Sequence, residues 1–384
     1  MNVHTVEIGY LIGPSMIRRM SCSQRWFTFP QRDKQHHVCH SFQDFVNALD
    51  GTAAYLNVLM SRRYPVNGIK QVTLLRNPSR RGYFFLVVVV NLESLYRQDM
   101  TVESFTSFTE ERLKRCSCTF DRVMADYTGI KLKTLLDWST RRVDYAVDIS
   151  FENPKLVALY VSLMPRGRIP RDMVLRELYD GSYYLETQQG DVTINFYDKA
   201  AQLTKDRDLF NNDRLLREAR GLLRVEVQCQ GRKLDHIRDL IRKHKLPHHG
   251  MKLRTFLNSV IANIIVQDYY DRAIGYQDYY TLQGAEDFLN EQRGRNDMKQ
   301  RILQFLRLVD QNGSVSEAID VYRTGCLLDG GKSLVKGSKG TIQNILNQYL
   351  PRYGINPVLL PNEYEQTFLT NPMPHPLRIY RHRL

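Results

Sequence analysis

The sequence predicts an α+β fold, with a mainly antiparallel sheet and packed helices first and a helical, helix-turn-helix-like part after it. Three observations predict it. Between residues 141 and 230, three segments alternate apolar and polar side chains: Arg142-Val143-Asp144-Tyr145-Ala146-Val147-Asp148-Ile149, Val192-Thr193-Ile194-Asn195-Phe196-Tyr197-Asp198-Lys199 and Leu223-Arg224-Val225-Glu226-Val227-Gln228-Cys229. A period of two marks a strand with one covered face. Second, short turn-rich clusters join neighbouring strand-like runs, as hairpins require. Third, from about residue 245 the apolar period lengthens to that of helices. The expected division is residues 1–245 and 246–384, with a helix-turn-helix or winged-helix part at 312–360.

Taken in order, Val3-His4-Thr5-Val6-Glu7-Ile8-Gly9-Tyr10 reads as an opening strand. His37 and His40 are three apart, so a strand cannot present both on one face, and metal binding at residues 36–40 is not expected. Lys70 to Leu75 and Tyr83 to Asn91 read as a hairpin through a turn at residues 77–82. Its second strand is apolar on both faces and should be central. Ser104 to Tyr127 reads as one amphipathic helix and Pro154 to Met164 as a short apolar one. Gly181 to Glu186 leads into the second alternating segment as another hairpin. Ala200 to Arg220 is helical and charged, and the third segment ends at Gly231. Met251 to Arg272, Leu282 to Gln292 and Met298 to Leu308 are helices. Ser314 caps a helix through Tyr322. The glycine-rich turns around Lys332 and Lys339, followed by a helix from Ile342 to Tyr349, resemble a helix-turn-helix with a long turn.

The chain of 384 residues is long enough for two or three domains. It carries 54 Lys and Arg against 41 acids, a net charge of +13. An excess of that size favours a polyanionic partner, since neutralised phosphates release counterions. No basic amphipathic anchor, lipidation signal or long apolar run points to a membrane, and none is expected as a partner. The six cysteines show no framework spacing, and no signal peptide opens the chain, so a reducing cytoplasm is the expected setting.

The polar faces of the three strands carry Arg142, Asp144 and Asp148, then Asn195, Tyr197 and Lys199, then Arg224, Glu226 and Gln228. If the strands share a sheet, acidic oxygens, a tyrosine and cations gather on one surface, a set suited to metal-assisted attack on a phosphodiester. The ordered triplet Arg142-Val143-Asp144 with Asp148, Tyr197-Asp198-Lys199 and Arg224-Val225-Glu226 resembles the rolling-circle replication initiators, among them the filamentous-phage gene II/X proteins and the Rep_trans plasmid initiators. The matching core covers about a quarter of the chain. Where plasmid members place a Tyr-x-Gly, this chain has Tyr184-Leu185-Glu186, so the resemblance assigns nothing to Tyr184.

The resemblance implies a relaxase-like endonuclease domain in residues 1–245, with Tyr197 as the DNA nucleophile. It also implies origin nicking through a 5′-phosphotyrosine, later rejoining, and action on single- and double-stranded origin DNA in a bacterial host. Host helicase and polymerase are the expected partners, and a homodimer is an open option. A phenol with an ordinary pKa near 10 needs activation. Mg2+ or Mn2+ held by oxygen ligands would supply it, with Asp144 and Glu226 as ligands and Asp148 a third. Lys199, two residues after Tyr197, would lower the tyrosine pKa or neutralise the transition state. Arg142 and Arg224 either clamp neighbouring phosphates or pair with Asp144 and Glu226. Lys332, Lys336 and Lys339, with Arg352, are the expected contacts to duplex phosphates. Two other readings stand beside this one: a non-catalytic origin-binding initiator or repressor, and a metal-dependent nuclease that uses water. A tyrosine recombinase is disfavoured, because the usual basic His-x-x-Arg before the tyrosine is missing.

Overall fold

The computed structural model describes residues 1–21, 58–60, 68–77, 79–80, 82–176, 182–205, 212–328, 333–335 and 337–373. The histidines at 36–40, Lys332 and Lys336 lie outside these residues. Nine strands form one sheet: β1 (Asn2–Ile12), β2 (Val58–Met60), β3 (Ile69–Arg76), β4 (Phe84–Val90), β5 (Ser139–Ser150), β6 (Met173–Arg176), β7 (Ser182–Thr187), β8 (Val192–Asp198) and β9 (Leu222–Gln230). Their order is β2-β3-β4-β1-β5-β9-β8-β7-β6, and every neighbouring pair is antiparallel. The α+β class and the antiparallel sheet are therefore as the alternation predicts. The three alternating segments are adjacent, with β9 between β5 and β8.

One face of the sheet is a helix-covered core. Val143, Tyr145, Ile194, Phe196, Val225 and Val227 are each fully buried on it. Two helices pack there: α4 (Lys155–Leu163) against β8 and β9, and α9 (Ser259–Ala273) against β1, β5 and β9. Tyr270 of α9 meets the Phe196 ring at 6.1 Å, and the Tyr145 hydroxyl donates to the Phe256 carbonyl at 3.0 Å. One continuous core cluster includes residues from Val3 to Met373. Helices after residue 245 thus share the core of the sheet, and a cut at 245 would uncover its apolar face.

Several boundaries differ from the sequence reading. The helix expected over 104–127 is α3 (Glu110–Thr128), because Phe105 exchanges backbone hydrogen bonds with Val3 and Thr109 caps the helix. The stretch 251–272 divides into α8 (Leu253–Phe256) and α9, since Asn258 accepts from the amides of Val260 and Ile261 and restarts the helix. A helix that alternation did not signal, α7 (Arg232–Lys243), follows β9 directly. After α10 (Leu282–Glu291) and α11 (Asn296–Asn312), Ser314 caps α12 (Val315–Thr324) as expected. Between α12 and α13 (Lys339–Asn344) the described chain pairs β10 (Cys326–Leu328) antiparallel with β11 (Ser333–Val335), where the sequence reading expected a long turn. A π-helical turn, Ile345–Tyr349, then leads into α14 (Leu350–Tyr353).

Gly221, which opens β9, holds φ +76°, and a Cβ there would stand 2.4 Å from the Phe151 carbonyl oxygen. Gly221→Ala therefore combines left-handed strain with a backbone clash. We expect a loss of roughly 2 kcal/mol or more in urea unfolding. A loss below about 0.5 kcal/mol would show that the turn can relax.

Candidate active site

The opposite face of β5, β8 and β9 holds the polar residues singled out by the alternation. Register fixes their neighbours. Tyr197 lies opposite Arg224, Asn195 opposite Glu226, Asp148 opposite Arg224 and Asp144 opposite Gln228. Ala146, opposite Glu226 and between Asp144 and Asp148, adds only a methyl and leaves room above the Glu226 stem. A cavity of about 230 Å³ opens here, and its walls include Asp144, Tyr197, Glu226, Arg142, His4 and Lys70.

Two β-bulges complete that wall. In β1 the register slips between Val3 and Thr5, so His4 and Thr5 both face the cavity between the core residues Val3 and Val6. In β3 it slips between Ile69 and Gln71, leaving Lys70 as the extra residue. Bulges re-aim side chains in this way beside functional sites. The signal was present in the sequence: Val3-His4-Thr5-Val6 and Ile69-Lys70-Gln71-Val72 each place two polar residues between apolar ones, where strict alternation allows one. The sequence reading missed both His4 and Lys70.

The Tyr197 hydroxyl donates to Glu226 Oε2 at 3.1 Å, and Gln228 Nε2 donates to Glu226 Oε1 at 2.8 Å. Burial raises the Tyr197 pKa well above its usual value, and the Glu226 charge adds to this; Arg224 pulls the other way. Asp144 is almost fully buried and accepts two hydrogen bonds from Arg142, from Nε at 2.9 Å and from an NH2 nitrogen at 3.2 Å. Burial and the Glu226 charge push its carboxyl up to about 7, with Arg142 opposing them.

Arg224 is 0% exposed and spends its donors inside the protein. Its Nε and one terminal nitrogen hold the two oxygens of Asp148, and the same terminal nitrogen also donates to the Val102 carbonyl. Its other terminal nitrogen lies 3.1 and 3.2 Å from the two ring nitrogens of His4. A guanidinium so enclosed cannot reach a phosphate outside, and it pairs with Asp148 rather than Glu226. Asp148 in turn accepts from Ser104 Oγ at 3.0 Å, so both its oxygens are committed and it stands apart from the cavity that Asp144 and Glu226 line. This differs from the expected third-ligand role.

Lys199 does not continue the strand but starts α5 (Lys199–Lys205), with α6 (Asp213–Ala219) beyond it. Its ammonium donates to Gln202 at 2.7 Å and lies 5.8 Å from the Tyr197 ring centroid. Burial, then the charges of Arg224 and Lys70, lower its pKa well below the usual lysine value. Burial and the Arg224 charge likewise keep His4 neutral over the ordinary pH range. Lys70 donates to Thr5 Oγ1 at 3.2 Å and lines the cavity, where burial of its ammonium lowers its pKa and the Glu226 and Asp144 charges oppose this.

A divalent cation fits the donor set in a limited way. Asp144 and Glu226 are two carboxylates on one cavity, and the raised pKa of Asp144 reflects their mutual repulsion as well as burial. Among the described residues no group of three or more His, Cys, Asp and Glu is arranged to hold a metal. Two carboxylates with water and a substrate phosphate are nevertheless the usual holding set for Mg2+.

Lys339, at the start of α13, is exposed and far along the chain from this cavity. No described helix is long and apolar enough to cross a membrane.

No protein-family model matches the sequence, and no curated protein matches it. Among solved structures, that of a rolling circle replication initiator protein from Geobacillus stearothermophilus is similar at 15% identity and a TM-score of 0.25. The alignment covers 64% of this chain and 79% of that one. A superposition that loose carries no weight for fold or chemistry, which rest on the sheet and its polar face.

Proposed function

We propose that the protein is a rolling-circle-type replication initiator that nicks and rejoins origin DNA with Tyr197 as its nucleophile. The observation that carries this reading is the Tyr197–Glu226 hydrogen bond inside a cavity edged by Asp144, Arg142 and Lys70. Tyr197 gives its proton to Glu226 and its oxygen bonds to the scissile phosphorus. The bond from phosphorus to the 3′ oxygen breaks, leaving a 5′-phosphotyrosine. The departing 3′ oxygen takes one proton from solvent and becomes a hydroxyl that a polymerase can extend, while Glu226 returns its proton to solvent. Phosphoester bonds are exchanged without water, so the reverse attack reseals the strand.

Burial makes the phenol reluctant to ionise, so the charges around it do the activating work. Arg224 acts on Tyr197 through its buried charge, held in place by Asp148. Lys70 and Arg142 stand where a phosphate entering the cavity would meet them. Lys199 would add positive potential beside the ring only while protonated, a state that its burial disfavours. Asp144 and Glu226 would hold Mg2+ or Mn2+, which when bound polarises the phosphate and offsets developing charge.

The direct test incubates the protein with a labelled single-stranded origin oligonucleotide and Mg2+ or Mn2+, followed by a denaturing gel. A protein-linked band is expected. Free 5′-phosphate fragments without that band would favour a water-using nuclease, and binding without cleavage a non-catalytic initiator.

Two further outcomes concern the carboxylates. Glu226→Gln should reduce adduct formation at least about 10²-fold, the usual span for losing a positioned proton acceptor. Asp144 tests the electrostatics. Its folded pKa lies above the unfolded value, so the native state binds more protons and stability falls as pH rises from about 4 to about 7. Asp144→Asn should remove most of that slope, on the order of a few kcal/mol in chelator-treated protein. Mg2+ should raise the melting temperature of the wild type at pH 8 but not that of the Asp144→Asn/Glu226→Gln protein. A pH-independent stability difference between wild type and Asp144→Asn would contradict the assignment.

A further inference from the structure

A second polar region lies where the loop of residues 164–173 meets α12 and α13. Two adjoining cavities, of about 260 and 490 Å³, share Arg168 and Leu346. Their rims bring together Arg168 and Arg171 from the loop, Arg272 from the end of α9, Arg323 from α12 and Lys339 from α13. Arg272 is held by Asp172 at 2.7 Å, and Arg323 lies 3.9 Å from Asp320. Asp271 also lines the smaller cavity and is itself engaged. Among the described residues no carboxylate pairs with Arg168, Arg171 or Lys339, and all three are exposed. Partial burial and the charges of Arg171 and Arg272 lower the Arg168 pKa.

The loop that carries the two arginines is fixed. Arg168 donates its amide to the Ala273 carbonyl at 2.9 Å, and Ile169 donates its own to Ser316 Oγ at 2.8 Å. Gly167 sits so close to α9 that a Cβ there would stand 2.7 Å from the Ala273 oxygen. The backbone that carries the cations is therefore fixed, and binding has only their side chains to order. Among the described residues, no aromatic side chain lines either cavity. Base stacking, the usual grip on single strands, is missing, whereas fixed cations suit a backbone of phosphates.

We infer that this groove, walled by the 164–173 loop on one side and by α12 and α13 on the other, grips the sugar–phosphate backbone of duplex DNA. The inference rests on the nucleic-acid reading above but not on the chemistry at Tyr197. It assigns duplex contact to residues from both halves of the chain, with Lys339 joined by arginines that precede the nucleophile.

The test measures binding of the full chain to a 20-base-pair origin duplex and to one of its strands, across a salt series. Arg168→Ala/Arg171→Ala should weaken duplex binding about tenfold at 100 mM salt. It should also lower the slope of log affinity against log salt by about two, close to one unit per lost phosphate contact. Lys339→Ala, on the opposite wall, should lower the slope by about one. Cleavage of a short single strand should be unchanged in all of them. Wild-type affinity and slope in both variants would overturn the groove while leaving the Tyr197 chemistry standing. So would displacement of the duplex by polyglutamate at equal charge, since the groove would then be a general acidic-peptide site. Loss of duplex binding in the variants of a protein that forms no covalent adduct would uphold the groove and sink the nicking reading.

Discussion

Tyr197→Phe is expected to abolish covalent joining to DNA while leaving the protein folded and able to bind it. The substitution removes one oxygen and nothing else. Glu226 loses the donor that it receives from Tyr197 but keeps Gln228, so the stability change should stay within about 1 kcal/mol. No neighbouring tyrosine takes its place. Tyr183 faces the core side, where its ring meets Phe196 at 5.8 Å, and Tyr184 bonds to Thr193 Oγ1 at 3.2 Å. Loss of a nucleophile typically removes about 10⁴-fold or more of the rate. Adduct yield on a denaturing gel, beside duplex affinity in the same buffer, checks both halves. Residual adduct above about one part in a hundred would contradict the assignment.

The second large effect is on stability. Arg224 is among the largest fully buried side chains, and among the described residues it is the charged partner of Asp148. Arg224→Ala leaves the Asp148 carboxylate with Ser104 but no charged partner, takes a donor from the Val102 carbonyl and opens a void beside His4. Breaking a buried ion pair from one side costs about 3–5 kcal/mol. Arg224→Lys should recover only part of this, because a single ammonium cannot reproduce the forked contact with two oxygens. Urea unfolding of the three proteins measures the order: wild type, then Lys, then Ala. A loss below about 1 kcal/mol for Ala would show that the pair contributes little. Adduct formation should fall in Arg224→Lys as well, since the charge that opposes the raised Tyr197 pKa would be displaced.

The sheet was legible because its signal is local. Val143, Tyr145 and Val225 alternate with Arg142, Asp144 and Glu226, and a period of two needs no tertiary knowledge. That the three strands share a sheet was a condition of the sequence reading, and nothing in the sequence stated that β9 stands between β5 and β8. Partner choice was not legible. Asp148 and Glu226 are both carboxylic acids and both sit on polar faces. Only the register, which sets Asp148 against Arg224 and Glu226 against Asn195, sends one to a structural ion pair and the other to the tyrosine. His4 and Lys70 were missed for a different reason. Each reaches the site through a bulge, which shifts the face of every later residue and so breaks the rule used to find the others. Lys199 was placed on a strand because the alternation continues through it, yet the Asp198 side chain accepts from the amides of Ala200 and Ala201 and turns the chain into a helix.

The central claim is that the Tyr197 oxygen forms the bond to DNA. Peptide mapping of the trapped adduct by mass spectrometry, with the label placed separately on each side of the cleavage site, tests it most directly. The account predicts one modified peptide, with Tyr197 carrying the 5′ phosphate of the downstream fragment and the upstream fragment released with a free 3′ hydroxyl. A phosphate attached to Tyr183, Tyr184 or any other residue, or label retained from the upstream fragment, would contradict it.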